Sequence, residues 1–515
     1  MAGSPLDCSG FDLVPPSAAT LIESLRGVGY SLPAAIADIL DNSITAGAGN
    51  VWLTFDWNEG EPTIAIRDDG RGMSSQELVD AMRLGDLLPG RTRSPTDLGR
   101  FGLGLKTASF SQCRRLTVAS RCQGEGVAVR RWDLDHIKTT SGAWQLLQSA
   151  APGSESYLIE LNSTPRGTMV LWEQLDHLTE GESDNEATQT LFLEAIDRVE
   201  EHLSMVFQRY IEGKAPRVRL FINGTEEKDR VRRWDPFMEV HPATIRRPVE
   251  RIFTRSGIVD VQGFVLPHRD RLSEKEVEEN AGPNGWTAQQ GFYIYRNKRL
   301  LTAGGWLGLG SPRRWAQEEA FRLARLKVDI TSAADTDWKI DIKKSTARPP
   351  QYLRNRLRAL GEDARQIARQ VFAHRGTYGA KPATPDLQRT WVALGGPQGV
   401  RYRINRGHPT IKAVLNSATI EARAVETALR VIEETVPVQR IWLDASDHGE
   451  VSTGAFSDAG ASETGTILKI VYRDLRRRAG MTPVAAREHL KSVEPFNQFP
   501  DLIAALPDEP DEDHP

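Results

Sequence analysis

Three short segments constrain this chain more than anything else in it. Asp38-Ile-Leu-Asp-Asn42, Asp68-Asp-Gly-Arg-Gly-Met73 and Gly99-Arg-Phe-Gly-Leu-Gly-Leu-Lys106 follow one another within about seventy residues. The first lies where Ile36, Ile39 and Leu40 recur at helical spacing. The second ends the alternating run Thr63-Ile-Ala-Ile-Arg67, which reads as a strand. The third leads into a helical pattern from Leu105 to Phe110. A helix, an acidic turn closing a strand and a glycine-rich loop before a second helix call for one α/β domain that brings them together.

Each segment has a chemistry and a bland alternative. Asp38 and Asn42 are four apart, so a helix puts them on one face. The Asn42 amide oxygen suits a hard cation such as Mg²⁺, and the Asp38 carboxylate one turn earlier can deprotonate a water. Alone, the pair is as well explained by a helical turn that favours acidic residues. In the second segment Gly70 and Gly72 permit tight turns and close ligand approach. Asp68 can accept from an exocyclic amine such as adenine N6, beside an apolar wall from Met73. Alone, it is an ordinary acidic glycine turn. In the third, Gly99, Gly102 and Gly104 bare backbone N–H groups before a helix, an arrangement that holds anions, with Lys106 behind it. This comes close to G-x-x-x-x-G-K-[ST], but Leu105 separates Gly104 from Lys106 and no parallel βαβ array follows, which excludes a P-loop.

Bulk properties set wider bounds. A chain of 515 residues exceeds one core, so roughly two to four domains are expected. Its 39% hydrophobic and 26% charged residues are those of a soluble globular protein. A net charge of −4 gives no global nucleic-acid signature, so any DNA surface must come from local clustering of the 65 Lys and Arg. Cys8, Cys113 and Cys122 form neither a disulfide framework nor a zinc pattern, which suits a reducing cytoplasm. No signal peptide or membrane-spanning run is expected, and hence no membrane partner.

Along the chain, strands are expected at 51–55, 63–67, 116–120, 157–161 and 168–172, with helices between them, forming a mostly antiparallel first domain over 1–215. A polar, Pro- and Gly-rich stretch at 87–100 reads as a loop. A second domain over 216–350 opens with a strand at 217–223 and includes 259–266, 291–296 and the segment 326–342. Arg348-Pro-Pro350 breaks the chain before a basic helix in 351–380. A linker at 376–385 precedes a mixed region over 390–500. That region is expected to hold a strand pair (401–404 with 441–444) and helices at 418–434 and 484–492. An acidic tail, 507–515, closes the chain.

The order and spacing of the three segments resemble the N, G1 and G2 boxes of the GHKL superfamily, which includes gyrase, histidine kinases and MutL. Gly167-Thr168 resembles its fourth element, a Thr that supports the adenine-binding Asp. The resemblance implies an α+β chain: an N-terminal Bergerat-type α/β sandwich ATPase domain, a transducer-like α/β domain and a C-terminal mixed α/β region. It implies ATP and Mg²⁺ as ligands, Asp38 as general base and Asn42 as the metal ligand. Asp68, Gly70, Gly72, Met73 and Thr168 would surround the adenine. Gly99, Arg100, Phe101, Gly102, Leu103, Gly104, Leu105 and Lys106 would hold phosphates, within an ATP lid at 84–104. The family's base is usually Glu. Asp38 is one methylene shorter, which implies slow or partner-stimulated hydrolysis.

None of the ten His precedes the first segment, the first being His136, which argues against a histidine kinase. Gln290-Gly-Phe-Tyr-Ile-Tyr-Arg-Asn-Lys-Arg-Leu-Leu301 is similar to a transducer strand and turn of the MORC ATPases, and Thr20 to Tyr30 also looks like prokaryotic MORC-type proteins. In that branch the transducer supplies a Lys to the γ-phosphate. Lys343 and Lys344 are the candidates here; they alternate at a strand end, so only one can reach the site. Arg354 with Arg358, and Arg365 with Arg369, are i, i+4 pairs suited to phosphate contact without base readout, or else a solvated helix face. The resemblance implies an ATP-driven homodimer joined through a strap at about 9–30, clamping double-stranded DNA. Bacterial proteins of this kind look like parts of restriction-modification or anti-phage systems, with nucleases or other defence proteins as partners. The competing reading is an ATP-switched chaperone or assembly scaffold that binds no DNA.

Overall fold

Apolar residues two apart along successive strands build a six-stranded sheet over the first part of the chain. The structure is a computed structural model, described for residues 17–27, 29–84, 98, 104–140, 144–176, 186–213, 215–341, 343–344, 346–373, 390–396, 399–415, 425–426, 429–430, 432, 461–477, 480–493, 496 and 499–508. The sheet comprises β1 (Asn50–Asp56), β2 (Thr63–Asp68), β3 (Arg115–Arg121), β4 (Ala128–Asp133), β5 (Gly167–Glu173) and β6 (Arg219–Ile222), in the order β4-β3-β5-β2-β1-β6. Its neighbours are antiparallel except β1 and β6, which are parallel. Helices α1 (Ala18–Arg26), α2 (Leu32–Thr45), α3 (Ser75–Met82) and α4 (Gly104–Phe110) supply apolar faces to the same core. Ile36, Ile39 and Leu40 of α2 meet Leu53, Ile64, Leu116 and Trp172 there. Each such side chain contributes about 1.5–3 kcal/mol of burial. A reciprocal Ser74–Glu77 capping box starts α3.

Two strand expectations are corrected. Residues 157–161 are not a strand: Glu155–Leu158 is a 3₁₀ turn and Ile159–Ser163 a short helix. Leu158 and Leu161, three apart, are buried while Ile159 is exposed, a helical rather than an alternating pattern. The edge position belongs to β4, whose sequence Ala-Val-Arg-Arg-Trp-Asp and burial do not alternate. The strand expected to open a second domain at 217–223 instead pairs with β1 as β6, so a boundary at 215 would cut the first sheet.

A second sheet follows: β7 (Ile245–Arg246), β8 (Glu250–Thr254), β9 (Gly257–Val265), β10 (Gly291–Arg296), β11 (Arg299–Thr302) and β12 (Ala324–Ile330). Its order is β11-β10-β12-β9-β7, with β8 also paired to β9. Asn297 (φ 49°) and Lys298 (φ 73°) make the two-residue turn between β10 and β11, which places Arg299 opposite Arg296. The segment after β12 turns rather than extends: Ser332–Ala334 is 3₁₀ and Lys344 is left-handed at φ 51°. Contrary to the sequence expectation, Lys343 and Lys344 therefore do not end a strand. The helix Gln351–Ala373 covers this sheet with Leu353, Leu357, Ala364, Ala368 and Val371.

The chain divides into two compact units, Met1–Tyr378 and Gly379–Pro515. In the second unit β13 (Trp391–Gly396) pairs with β14 (Gly399–Ile404). Residues 401–404 pair with the adjacent hairpin strand; 441–444, the partner expected from the sequence, lies outside the described residues. Helices Ala461–Arg477, Pro483–Lys491 and Pro500–Ala504 share a small core of Leu468, Val471, Leu490, Phe496 and Ile503. Residues 376–385, most of 418–434, the first part of the expected strap and the tail from 509 also lie outside the described residues. No helix among those described is long and apolar enough to cross a membrane.

Candidate functional site

Helix α2 presents successive residues to different neighbours. Asp38 and Asp41 point into the buried interior, Asn42 is exposed, and Ser43 turns toward the end of β2. Ser43 donates its hydroxyl to Asp68 Oδ2 at 2.8 Å, and the Gly70 N–H donates to Asp68 Oδ1 at 2.9 Å. Asp68 lies opposite Thr168 in the β2–β5 register. Thr168 is fixed in turn through Ser120, whose oxygen is 2.9 Å from the Thr168 hydroxyl oxygen and accepts from the Met73 N–H at 2.8 Å. Burial pushes the Asp68 carboxyl above the usual carboxylate range, while the Ser43, Gly70 and Thr168 hydrogen bonds pull it back.

The glycines are there for space. A Cβ on Gly70 would lie 2.9 Å from Asp68 Oδ1 and 3.0 Å from the Ala46 Cβ. Gly72, at φ +68°, leaves no room at all: its Cβ would fall 1.9 Å from the Arg121 carbonyl oxygen. A Cβ on Gly104 would meet Asp38 Oδ2 at 3.6 Å, so the end of the third segment abuts the first. All three segments therefore converge through Asp38, Ser43, Asp68, Gly70 and Gly104.

Asp38 has a dense set of partners. Tyr30 donates its hydroxyl to Asp38 Oδ2 at 2.9 Å. Lys344 Nζ donates to Asp38 Oδ1 at 3.1 Å and to Asp41 Oδ2 at 2.6 Å. Arg299 Nε lies 2.9 Å from Asp41 Oδ2, and the guanidinium comes within 3.6 Å of Asp38 Oδ1. Two acids and two bases thus sit in one buried cluster, with α2 on one side and the second sheet on the other. Burial pushes the Asp38 carboxyl up from its ordinary range, Lys344 and Arg299 pull it down, and Asp41 adds to the rise. The Tyr30 hydroxyl is held well above the usual phenol range, first by burial and then by the Asp38 charge.

Other expected residues fall differently. Lys343 does not join the cluster; its ammonium donates to the Gly29 carbonyl at 2.8 Å. Lys106, expected at phosphates, is buried and donates to the Ala81 and Arg83 carbonyls at the end of α3, at 3.0 and 2.8 Å. Such carbonyls are orphaned at any helix end, which is why a cation settles there. Leu105 packs on the core of the first sheet. Gly99, Arg100, Phe101, Gly102 and Leu103 lie outside the described residues. Of the basic helix, Arg369 is exposed and Arg354 and Arg358 are half-buried. Arg365 cannot share a phosphate-binding face with them, because it is buried and stacks on Phe321, Trp306 and Trp315.

Sequence reasoning assigns no role to Asp41, Ser43, Tyr30 or Arg299. Asp41 lies inside the first motif. Its signal is the i, i+3 spacing from Asp38, which places a second carboxylate near the same helix face. Arg299 sits in the basic turn of the 290–301 segment, and nothing local tells which of its cations turns inward.

Residues 30–168 match the family model described as "Histidine kinase-, DNA gyrase B-, and HSP90-like ATPase". "ATPase morc-1" of Caenorhabditis elegans is 31% identical over 90 residues, covering 18% of this chain and 10% of that protein. "Structural maintenance of chromosomes flexible hinge domain-containing protein 1" is 33% identical in Mus musculus and 32% in Homo sapiens, each over 104 residues. Those matches cover 15% of this chain and 5% of each relative. The chain thus spans a tenth or less of the length of these curated relatives.

Proposed function

We propose that this chain, whose residues 30–168 are a histidine kinase-, DNA gyrase B- and HSP90-like ATPase domain related to MORC-type proteins, binds ATP between α2, the Asp68 turn and Gly104 and hydrolyses it with Asp38 as general base. The observation that carries this reading is the Lys344–Asp38 contact at 3.1 Å. It puts a cation from beyond the second sheet beside the carboxylate that this reading makes the base, in a cluster shared with Asp41.

The remaining residues have roles that follow from their partners. Asp68 is pinned by Ser43 and Gly70, so an acceptor is presented to an adenine amine in a fixed direction. Asp38 is buried and lifted in pKa, which makes it a stronger base than an exposed aspartate. Tyr30 holds one Asp38 oxygen and leaves the other to Lys344. Asn42, exposed one turn after Asp38, would hold a Mg²⁺ through its amide oxygen, and that ion would neutralise phosphate charge. On arrival of a terminal phosphate, Lys344 exchanges Asp38 for phosphate oxygen, freeing the base and joining the two sheets through the nucleotide.

The same exchange supports a clamp. Closure of the second sheet onto bound ATP favours a homodimer through the strap, with DNA enclosed and contacted by Arg354, Arg358 and Arg369. Crosslinking with a non-hydrolysable ATP analogue, with and without closed-circular DNA, tests this step. Dimers and salt-resistant retention of circular DNA are expected with the analogue and not with ADP. Dimers without any DNA retention would instead favour an ATP-switched protein scaffold.

A further inference from the structure

Arg299 holds Lys344 directly at its backbone and, through Asp41, at its ammonium. At the head, Arg299 Nε donates to Asp41 at 3.1 and 2.9 Å, and the same Asp41 accepts from the Lys344 ammonium at 2.6 Å. At the backbone, Arg299 Nη1 donates to the Lys344 carbonyl at 3.2 Å. Lys344 needs such a hold, since at φ 51° its backbone occupies the left-handed region that side-chain-bearing residues avoid. Arg299 is itself fixed, as the first residue of β11 after the Asn297-Lys298 turn.

We propose that Arg299, anchored by Asp41, is a positioning residue of the hydrolytic site that sets where the Lys344 ammonium stands relative to Asp38. This rests on the reading of Asp38 as the base. A single guanidinium serves because its fork has donors in several directions. Lysine at this position would keep the charge and lose the second grip. When Lys344 turns to a phosphate, Asp41 and Arg299 stay in place and keep its backbone within reach. The cluster also balances: Asp38 and Asp41 face Lys344 and Arg299, so removing Arg299 leaves an uncompensated buried carboxylate.

Steady-state ATP hydrolysis from pH 5.5 to 9, with nucleotide Kd, is compared for wild type, Arg299→Gln, Arg299→Lys and Asp38→Ala. Nucleotide affinity is expected within about threefold of wild type for both Arg299 variants, because Asp68 is held by other residues. Arg299→Gln is expected to lower kcat at least about tenfold and to move the acidic limb of the profile to higher pH. The groups facing Asp38 are Tyr30, Asp41, Lys344 and Arg299, with Asp341 beside Tyr30 and His202 beside Arg299. Loss of one of the two cations favours the protonated carboxyl. Arg299→Lys should lower kcat while leaving the limb in place. A merely structural arginine would lower activity only with the folded fraction, and an unmoved limb in Arg299→Gln would overturn the proposal. If Arg299→Gln does not fold, wild-type kcat in Arg299→Lys overturns it instead. Should Asp38→Ala hydrolyse ATP as wild type does, the assignment of the base fails and this inference with it. If Asp38→Ala is inactive and both Arg299 variants match wild type, this inference alone fails.

Discussion

Lys344 Nζ lies 3.1 Å from Asp38 Oδ1 across a sequence separation of 306 residues. Neighbouring Lys343 ends on the Gly29 carbonyl. The pair therefore makes an internally controlled comparison. Lys344→Met is expected to reduce ATP turnover by about 10–100-fold, and Lys343→Met by no more than about twofold, measured as phosphate release at saturating ATP. Lys344→Met also leaves Asp38 and Asp41 with Arg299 alone, at a cost approaching about 3–5 kcal/mol. The sign with pH follows from the raised Asp38 carboxyl. A raised folded-state pKa favours the fold below the unfolded value, and that advantage is lost as pH rises through the folded value. The Tm deficit of Lys344→Met should therefore be larger at pH 8 than at pH 5.

Asp68 offers a test of base recognition. One of its oxygens accepts from the Ser43 hydroxyl and the other from the Gly70 N–H. Asn at this position turns one acceptor into a donor facing another donor. Asp68→Asn is expected to weaken ATP binding at least about tenfold in titration calorimetry. Stability changes by less, because the substitution also removes a charge that burial disfavours.

Gly72 is where the backbone admits no side chain. At φ +68°, a Cβ there would stand 1.9 Å from the Arg121 carbonyl oxygen, so Gly72→Ala must displace the β3 end or the turn. A loss of about 2–4 kcal/mol is expected in urea unfolding. Gly126→Ala, which meets nothing within 4 Å, should stay within about 1 kcal/mol of wild type.

What was legible in the sequence were the local signals. Helical spacing in 36–40, alternation in 63–67 and the glycines before α4 each mark elements that exist. Gly104 abuts Asp38, and Asp68 is tied to α2 through Ser43. Long-range pairings were not legible. β6 reads like the opening of a new domain because a strand carries no mark of its partner, and only its parallel register with β1 assigns it to the first sheet. Lys106 follows a glycine loop as a phosphate ligand would, yet the carbonyls at the end of α3 capture it. Arg365 looks like its neighbours in sequence and is buried among aromatics contributed by a distant loop. In each case the deciding partner is remote in sequence.

Asp38 as general base at a bound ATP is the assignment on which the proposed activity turns. It is tested most directly by hydrolysis rates of wild type, Asp38→Ala and Asp38→Glu at saturating ATP and Mg²⁺, with binding measured in parallel. Asp38→Ala is expected to bind ATP normally and to lose at least about 100-fold in turnover, while Asp38→Glu retains or exceeds the wild-type rate. Equal rates for all three proteins would contradict it.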